Sequence, residues 1–167
     1  MHVSDILRVK GHALYTVHPD QHLFDAVQTM TEHDIGSLVV IEYERVTGIL
    51  TFREIFNALA RNGGTLGEVR VRSAMDSDPL VCSPLTEIDE ARRMMLGRHC
   101  RYMPVLNDSD LMGVISFHDI AKAVVDAQDF ENRMLKAYIR DWPPEQDGTP
   151  ATDLDATAAA PNGQASA

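Results

Sequence analysis

Two short segments of this 167-residue chain combine residue types able to hold a phosphorylated or hydroxylated small molecule. Gly48-Ile49-Leu50-Thr51-Phe52-Arg53-Glu54 and Gly113-Val114-Ile115-Ser116-Phe117-His118-Asp119 share one form: a glycine, two apolar residues, a hydroxyl, two further residues and an acid. A hydroxyl and an acid so spaced, where an apolar strand gives way to a helix, stand together at the helix N-terminus. There the free N–H groups and the positive end of the dipole attract anions. A phosphate fits beside such a hydroxyl, and a carboxylate accepts both hydroxyl hydrogens of a ribose. The same spacing is also that of a capping box, in which the acid reaches back to the N-cap N–H and only steadies the helix. Recurrence of the pattern in two copies, each behind a glycine that admits another group close to the backbone, favours a ligand.

Other chemistries find little support. His18 and His22 are four apart, but Pro19 lies between them, and His2, His12, His33 and His99 form no ligand spacing, so no metal site is expected. Cys82 and Cys100 stand in no metal or redox spacing and read as small buried thiols in a reducing compartment. The chain lacks a Ser-His-Asp or Cys-His constellation, a phosphate-binding Walker loop and a metal-activated water motif; no catalytic residue is expected, and the protein reads as a non-enzyme. A formal net charge of -10 repels nucleic acid, since that affinity comes largely from Lys and Arg. About half of the excess falls after Arg140, on Asp141, Glu145, Asp147, Asp153 and Asp155. No apolar run approaches the roughly 18 residues of a membrane span, and Met1 to Tyr15 lacks a signal-peptide core. A soluble, cytoplasmic protein is the expectation.

The elements that must position the two motifs emerge from an internal repeat. Shifting the chain by 65 positions lays Leu14–Ala60 over Pro79–Val125 without a gap, pairing Pro19 with Pro84, Ala26 with Ala91, Met30 with Met95, Val40 with Val105, Gly48 with Gly113 and Phe52 with Phe117. Glycine, proline and core-facing apolar positions are the ones geometry constrains most. Each copy predicts a short strand (Leu14 to Val17; Leu80 to Cys82), a helix with apolar residues at 3,4 spacing such as Leu23, Ala26, Val27 and Met30, a buried strand, a polar turn, a second strand and a second helix opening at Phe52 or Phe117. The order is β-α-β-β-α, twice. Ile120, Ala123, Val124, Ala127, Phe130, Met134 and Tyr138 then continue one apolar stripe beyond the second copy, and Trp142-Pro143-Pro144 ends that helix. Residues 143–167 lack large apolar side chains almost entirely and predict a disordered tail.

Both halves resemble CBS domains, the small repeats first recognised in cystathionine β-synthase, which occur as tandem pairs called Bateman modules. The resemblance runs from about Val3 to Val125. It rests on Thr16-Val17-x-Pro19, Ile35-Gly36-Ser37-Leu38-Val39-Val40 and Gly48-Ile49-x-Thr51 in the first copy, and on Cys100-Arg101-Tyr102-Met103-Pro104-Val105 and Gly113-Val114-Ile115-Ser116-x-x-Asp119 in the second.

The resemblance implies an α/β (α+β) fold of two repeats related by a pseudo-two-fold: repeat 1 at 1–62, a linker at 63–70, repeat 2 at 71–126, a helical extension at 127–142 and the tail. It also implies a ligand such as AMP, ADP, ATP, NAD or S-adenosylmethionine, with AMP or another adenine nucleotide foremost, and no cofactor. One site would join Ser116 and Asp119 to Thr16, Val17, Gly36, Ser37 and Leu38; the other would join Thr51 and Glu54 to Leu80, Val81, Arg101 and Met103. Glu54 stands where the family usually has Asp, and its extra methylene suits a capping box better, so one good site is expected, that of Ser116 and Asp119. Arg101 is the cation whose family counterpart faces phosphate, beside Arg53, His118 and Lys122 as further candidates. The function implied is a nucleotide-responsive regulatory module for signal transduction, a homodimer acting on an unknown partner protein, with no nucleic acid or membrane. The alternative is a ligand-free structural or protein-interaction dimer.

Overall fold

The computed structural model describes residues 1–11 and 13–141. The elements in chain order are α1 (Val3–Lys10), β1 (Thr16–Val17), α2 (Leu23–Glu32), β2 (Ser37–Glu42), β3 (Arg45–Thr51), α3 (Phe52–Arg61), α4 (Val71–Ala74), α5 (Ile88–Arg98), β4 (Tyr102–Asn107), β5 (Asp110–Ser116) and α6 (Phe117–Arg140). The first copy thus runs β-α-β-β-α behind α1, whereas the second, behind α4, runs α-β-β-α without the leading strand.

Each repeat is built on a tight antiparallel hairpin. In the first, β2 and β3 pair from Ser37 with Thr51 to Glu42 with Arg45, and Tyr43 and Glu44 turn the chain with φ of 51° and 61°. Two left-handed residues give the turn the twist that matches flanking strands. In the second, β4 and β5 pair from Tyr102 with Ser116 to Asn107 with Asp110. Both hairpins shift register at the repeat-equivalent place, after Val40 and after Val105. The duplication therefore extends to a local irregularity that the sequence pattern did not announce.

The strand ahead of each hairpin differs between the copies. Thr16 and Val17 pair in parallel with Val39 and Val40, completing a three-stranded sheet. In the second copy the expected strand from Leu80 to Cys82 shrinks to one parallel bridge between Cys82 and Val105, with Cys82 N–H donating to the Pro104 carbonyl at 3.1 Å and Leu106 N–H to the Cys82 carbonyl at 2.8 Å. The next bond of that ladder would need an N–H from Pro104, which has none. One proline thus halts the strand.

Two cores form, and each borrows a segment from the other side of the chain's alignment. Val17, Leu23, Ala26, Met30, Leu38, Val40, Leu50, Ile55 and Ala58 pack with Val71 from α4. Cys82, Ile88, Ala91, Met95, Met103, Val105, Ile115 and Ile120 pack with Val3 and Ile6 from α1. The borrowed segments dock alike. Val3 N–H donates to the Thr86 carbonyl at 2.9 Å, and Val71 N–H to the repeat-equivalent Gln21 carbonyl at 3.0 Å. The N-terminal helix thereby belongs physically to the second repeat and the linker helix to the first. Arg72 fastens α4 further, its guanidinium reaching Asp20 at 3.0 Å and Glu42 at 2.8 Å. That contact raises the pKa of Arg72 and lowers that of Glu42.

The glycines that open the two motifs serve this docking. A side chain on Gly48 would meet the Asp76 carbonyl at 2.6 Å, and one on Gly113 would meet Leu7 at 2.8 Å. The group that approaches the backbone so closely is the chain's own borrowed segment in both copies.

Within α6, Ile120 is buried and Ala123 and Val124 lie against the second core, whereas Val125 and Phe130 are exposed. From Glu131 the chain forms a second unit, whose Met134, Leu135, Tyr138 and Ile139 are exposed on the last turns of the helix. The expected end of the helix at Trp142 and the tail at 143–167 lie outside the described residues.

Candidate functional site

Both hydroxyl-acid pairs stand where a strand runs directly into a helix, Thr51 before α3 and Ser116 before α6. Each hydroxyl residue is also the hairpin partner of the first residue of its own repeat's buried strand, Thr51 of Ser37 and Ser116 of Tyr102. The pairing register thus carries each pair to the end of its sheet, beside a cleft.

The larger cleft, about 430 Å³, holds Thr51, Arg53, Glu54 and Asp76 together with Leu80, Cys100, Arg101 and Tyr102 from the second repeat. Thr51 N–H donates to Glu54 Oε2 at 2.7 Å, and the Thr51 hydroxyl donates to the same oxygen, so the acid folds back as a capping box does. Arg53 donates to the carbonyl of His99, which ends α5 in the left-handed region, a cation at a helix C-terminus and a tie between the repeats. Among the described residues the Arg101 guanidinium makes no hydrogen bond or ion pair, and it is exposed at the rim.

The smaller cleft, about 330 Å³, holds Gly36 and Ser37 from the first repeat, Val114 and Ser116 from the second, and Lys10, Tyr15 and Tyr102. Ser116 N–H donates to Asp119 Oδ2 at 2.8 Å, and Asp119 N–H returns a bond to Ser116 Oγ at 3.0 Å. Lys10 Nζ sits on the same carboxylate oxygen at 2.7 Å and on the Val114 carbonyl at 3.1 Å. Burial alone would push the Asp119 carboxyl up, but Lys10 and the Ser116 groups outweigh it and hold the pKa below the ordinary value. Tyr15 stacks on His33 with ring centroids 4.2 Å apart, which fixes its ring at the edge of this cleft.

The predicted residues are therefore distributed unevenly. Gly36, Ser37 and Ser116 line one cleft, with Asp119 joined to it through Lys10; Thr51, Glu54, Leu80 and Arg101 line the other. Val17, Leu38 and Met103 are buried in the two cores, so their side chains face away from either cleft, while Thr16 and Val81 are exposed outside both linings. Tyr15 and Tyr102 were assigned to no site from the sequence, although the 65-residue shift pairs them with Leu80 and Ser37, which were. Lys10 and Asp76 lie on borrowed segments outside the gapless alignment, and no repeat signal marks them.

His18, Asp20 and Glu42 also converge, with one potential ligand atom from each within 4.8 Å of the others. Arg72 already compensates both of these carboxylates.

Known proteins share this family and fold. The CBS domain profile matches residues 3–61 and 71–126. The CBS-domain containing protein ATU1752 from Agrobacterium tumefaciens is 33% identical with a TM-score of 0.70, over 74% of this chain and 98% of that one. The CBS domain pair of MJ0100, solved in complex with 5′-methylthioadenosine and S-adenosyl-L-methionine, shares the fold at 21% identity and a TM-score of 0.68, over 76% and 98% of the two chains. CBSX2, solved in complex with AMP, does so at 23% identity and a TM-score of 0.62, over 76% and 98%.

Proposed function

This chain belongs to the CBS-domain family and carries two copies of the domain, and from that premise we propose that it is a non-catalytic sensor that takes an adenine nucleotide or related adenosyl compound between its repeats and regulates a partner protein. One observation carries the reading: each hydroxyl-acid pair stands by a cleft whose opposite wall comes from the other repeat, Thr51 and Glu54 facing Leu80 and Arg101, Ser116 facing Gly36 and Ser37. A ligand filling either cleft touches both repeats and so biases their relative arrangement, provided it binds two arrangements unequally. The ligand classes are those named for the neighbours, AMP, S-adenosylmethionine and methylthioadenosine, and by the same adenosyl chemistry ADP, ATP and NAD.

Of the two, the cleft of Ser116 and Asp119 is the better ribose site, because the shorter acid keeps its carboxylate beside the helix start. Glu54 instead draws the Thr51 hydroxyl onto itself. Non-catalytic action is supported by the thiol of Cys100, whose pKa burial raises, away from the reactive thiolate. Two free thiols suit a reducing compartment, and with it the cytoplasm. Exposed Phe52 and Phe56 on α3 supply an apolar face for a homodimer.

A second reading has its own support, since both acids do cap their helices. On that reading the clefts stay empty and the protein is an interaction dimer. Thermal denaturation with AMP, ATP, NAD and S-adenosylmethionine separates the two, because a ligand that binds only the native state raises the Tm in proportion to the logarithm of its concentration. A rise with at least one compound supports the sensor. No rise with any at millimolar concentration supports the interaction dimer.

A further inference from the structure

The two clefts differ in what already sits on their acids. Asp119 carries an ammonium, Lys10 Nζ, at 2.7 Å, whereas the described partners of the Glu54 carboxylate are only the N–H and hydroxyl of Thr51. The difference follows from the borrowed segments. α1 docks on the second repeat as the linker docks on the first, with Val71 in the place of Val3 and Met75 in the place of Leu7. The correspondence ends there, because α4 stops at Ala74 and the chain continues extended; the linker residue that lines the larger cleft is Asp76, an acid, so the ammonium belongs to one cleft alone.

Lys10 is well placed to act on a ligand. Its side chain is 42% exposed, it lines the smaller cleft, and two acceptors occupy it where an ammonium has three protons to give. A ribose diol that bonds Asp119 must share or displace this ammonium. A ligand that also brings a phosphate gives Lys10 a new anionic partner; an uncharged nucleoside leaves it without one, and a sulfonium adds a second cation beside it. In a chain of net charge -10, such a local cation also favours the entry of a phosphate.

We propose that Lys10 is a specificity-determining residue that makes the cleft of Ser116 and Asp119 select phosphate-bearing adenosine compounds over uncharged or cationic ones. This rests on the reading that the clefts take adenosyl ligands. It goes beyond that reading by assigning the discrimination to one side chain from outside the repeated unit.

The test is a titration of the ¹⁵N-labelled full chain with AMP and, separately, with adenosine, the Ser116 and Thr51 amides reporting the two clefts independently. The unaltered protein is expected to bind AMP at least tenfold more tightly than adenosine at Ser116. Lys10→Met is expected to cut that ratio about tenfold there while leaving the ratio at Thr51 unchanged, and Lys10→Arg is expected to restore it. A ratio at Ser116 that survives Lys10→Met, with binding of both compounds intact, overturns the assignment of Lys10 but leaves the sensor standing. If neither compound moves either amide of the unaltered protein, this inference fails, whereas the adenosyl reading fails only if ATP, NAD and S-adenosylmethionine also leave the Tm unchanged.

Discussion

Tyr102 lies so close to Gly36 that a methyl group at Gly36 would fall 1.9 Å from the phenolic oxygen and 2.7 Å from the ring carbon that bears it. The contact joins the two repeats at the seam, and Tyr102 is the residue common to the linings of both clefts. Gly36 is needed here for space, since its backbone is outside the left-handed region.

Gly36→Ala is therefore expected to displace Tyr102 and lower stability by about 1–3 kcal/mol, the usual cost of overpacking. Chemical denaturation of the variant, of Tyr102→Ala and of the double variant measures the coupling. A strongly non-additive cycle, in which Tyr102→Ala absorbs most of the Gly36→Ala penalty, is the expected outcome; additive effects would show that the two do not meet.

The acids are expected to rank unequally. Asp119→Ala removes a cap and leaves Lys10 without its carboxylate, and Glu54→Ala removes a cap alone, so each costs about 1 kcal/mol from capping. In the presence of AMP, the ligand-induced rise in Tm should fall most in Asp119→Ala and less in Glu54→Ala. The opposite ranking would move the preferred site to the larger cleft.

Acid should loosen the fold through named carboxylates. Asp119 titrates below its ordinary value despite burial, chiefly through Lys10, Asp5 does so through the His2 N–H, and Glu42 through Arg72. A depressed native pKa means that the stabilisation is complete above the unfolded value of about 4 and is lost as pH falls through the lower native value. Stability measured against pH should thus be flat down to about 4 and decline below it. In Lys10→Met, carboxyl NMR should find Asp119 titrating at higher pH, since burial then acts with less opposition.

Thiol reactivity should follow burial. Cys82 is packed in the second core and its thiol is pushed up to about 12, and burial also raises Cys100. Iodoacetamide at pH 8 is expected to leave Cys82 unmodified in the native protein and to label both cysteines after unfolding, as counted by mass spectrometry. Rapid native labelling of Cys82 would contradict the packing of the second core.

The sequence made the repeated elements legible because strands and helices that bury one face must alternate or recur with a fixed period, and Leu23, Ala26 and Met30 do so. The junctions at Thr51 and Ser116 were legible for a similar reason, a hydroxyl followed by an acid where an apolar strand ends. What escaped was non-local. That α1 packs on the second repeat depends on Val3 and Ile6 finding a core that begins only at Cys82, far along the chain, which no local pattern records. The shortening of the second copy's first strand was written in Pro104, yet its consequence appears only once Leu80 and Pro104 are known to be neighbours in a ladder. Lys10 was hidden most completely, since a lysine at the end of an amphipathic helix is ordinarily a solvated charge, and only the docking of α1 brings it to Asp119.

Calorimetric titration of AMP into the full chain, alongside Asp119→Ala, reads out whether a nucleotide is held between the repeats. A saturable heat with the unaltered protein, with the contribution of one site lost in the variant, is the result predicted for a nucleotide held between the repeats at Ser116 and Asp119. Absence of any saturable heat up to millimolar AMP, or identical isotherms for the two proteins, would contradict it.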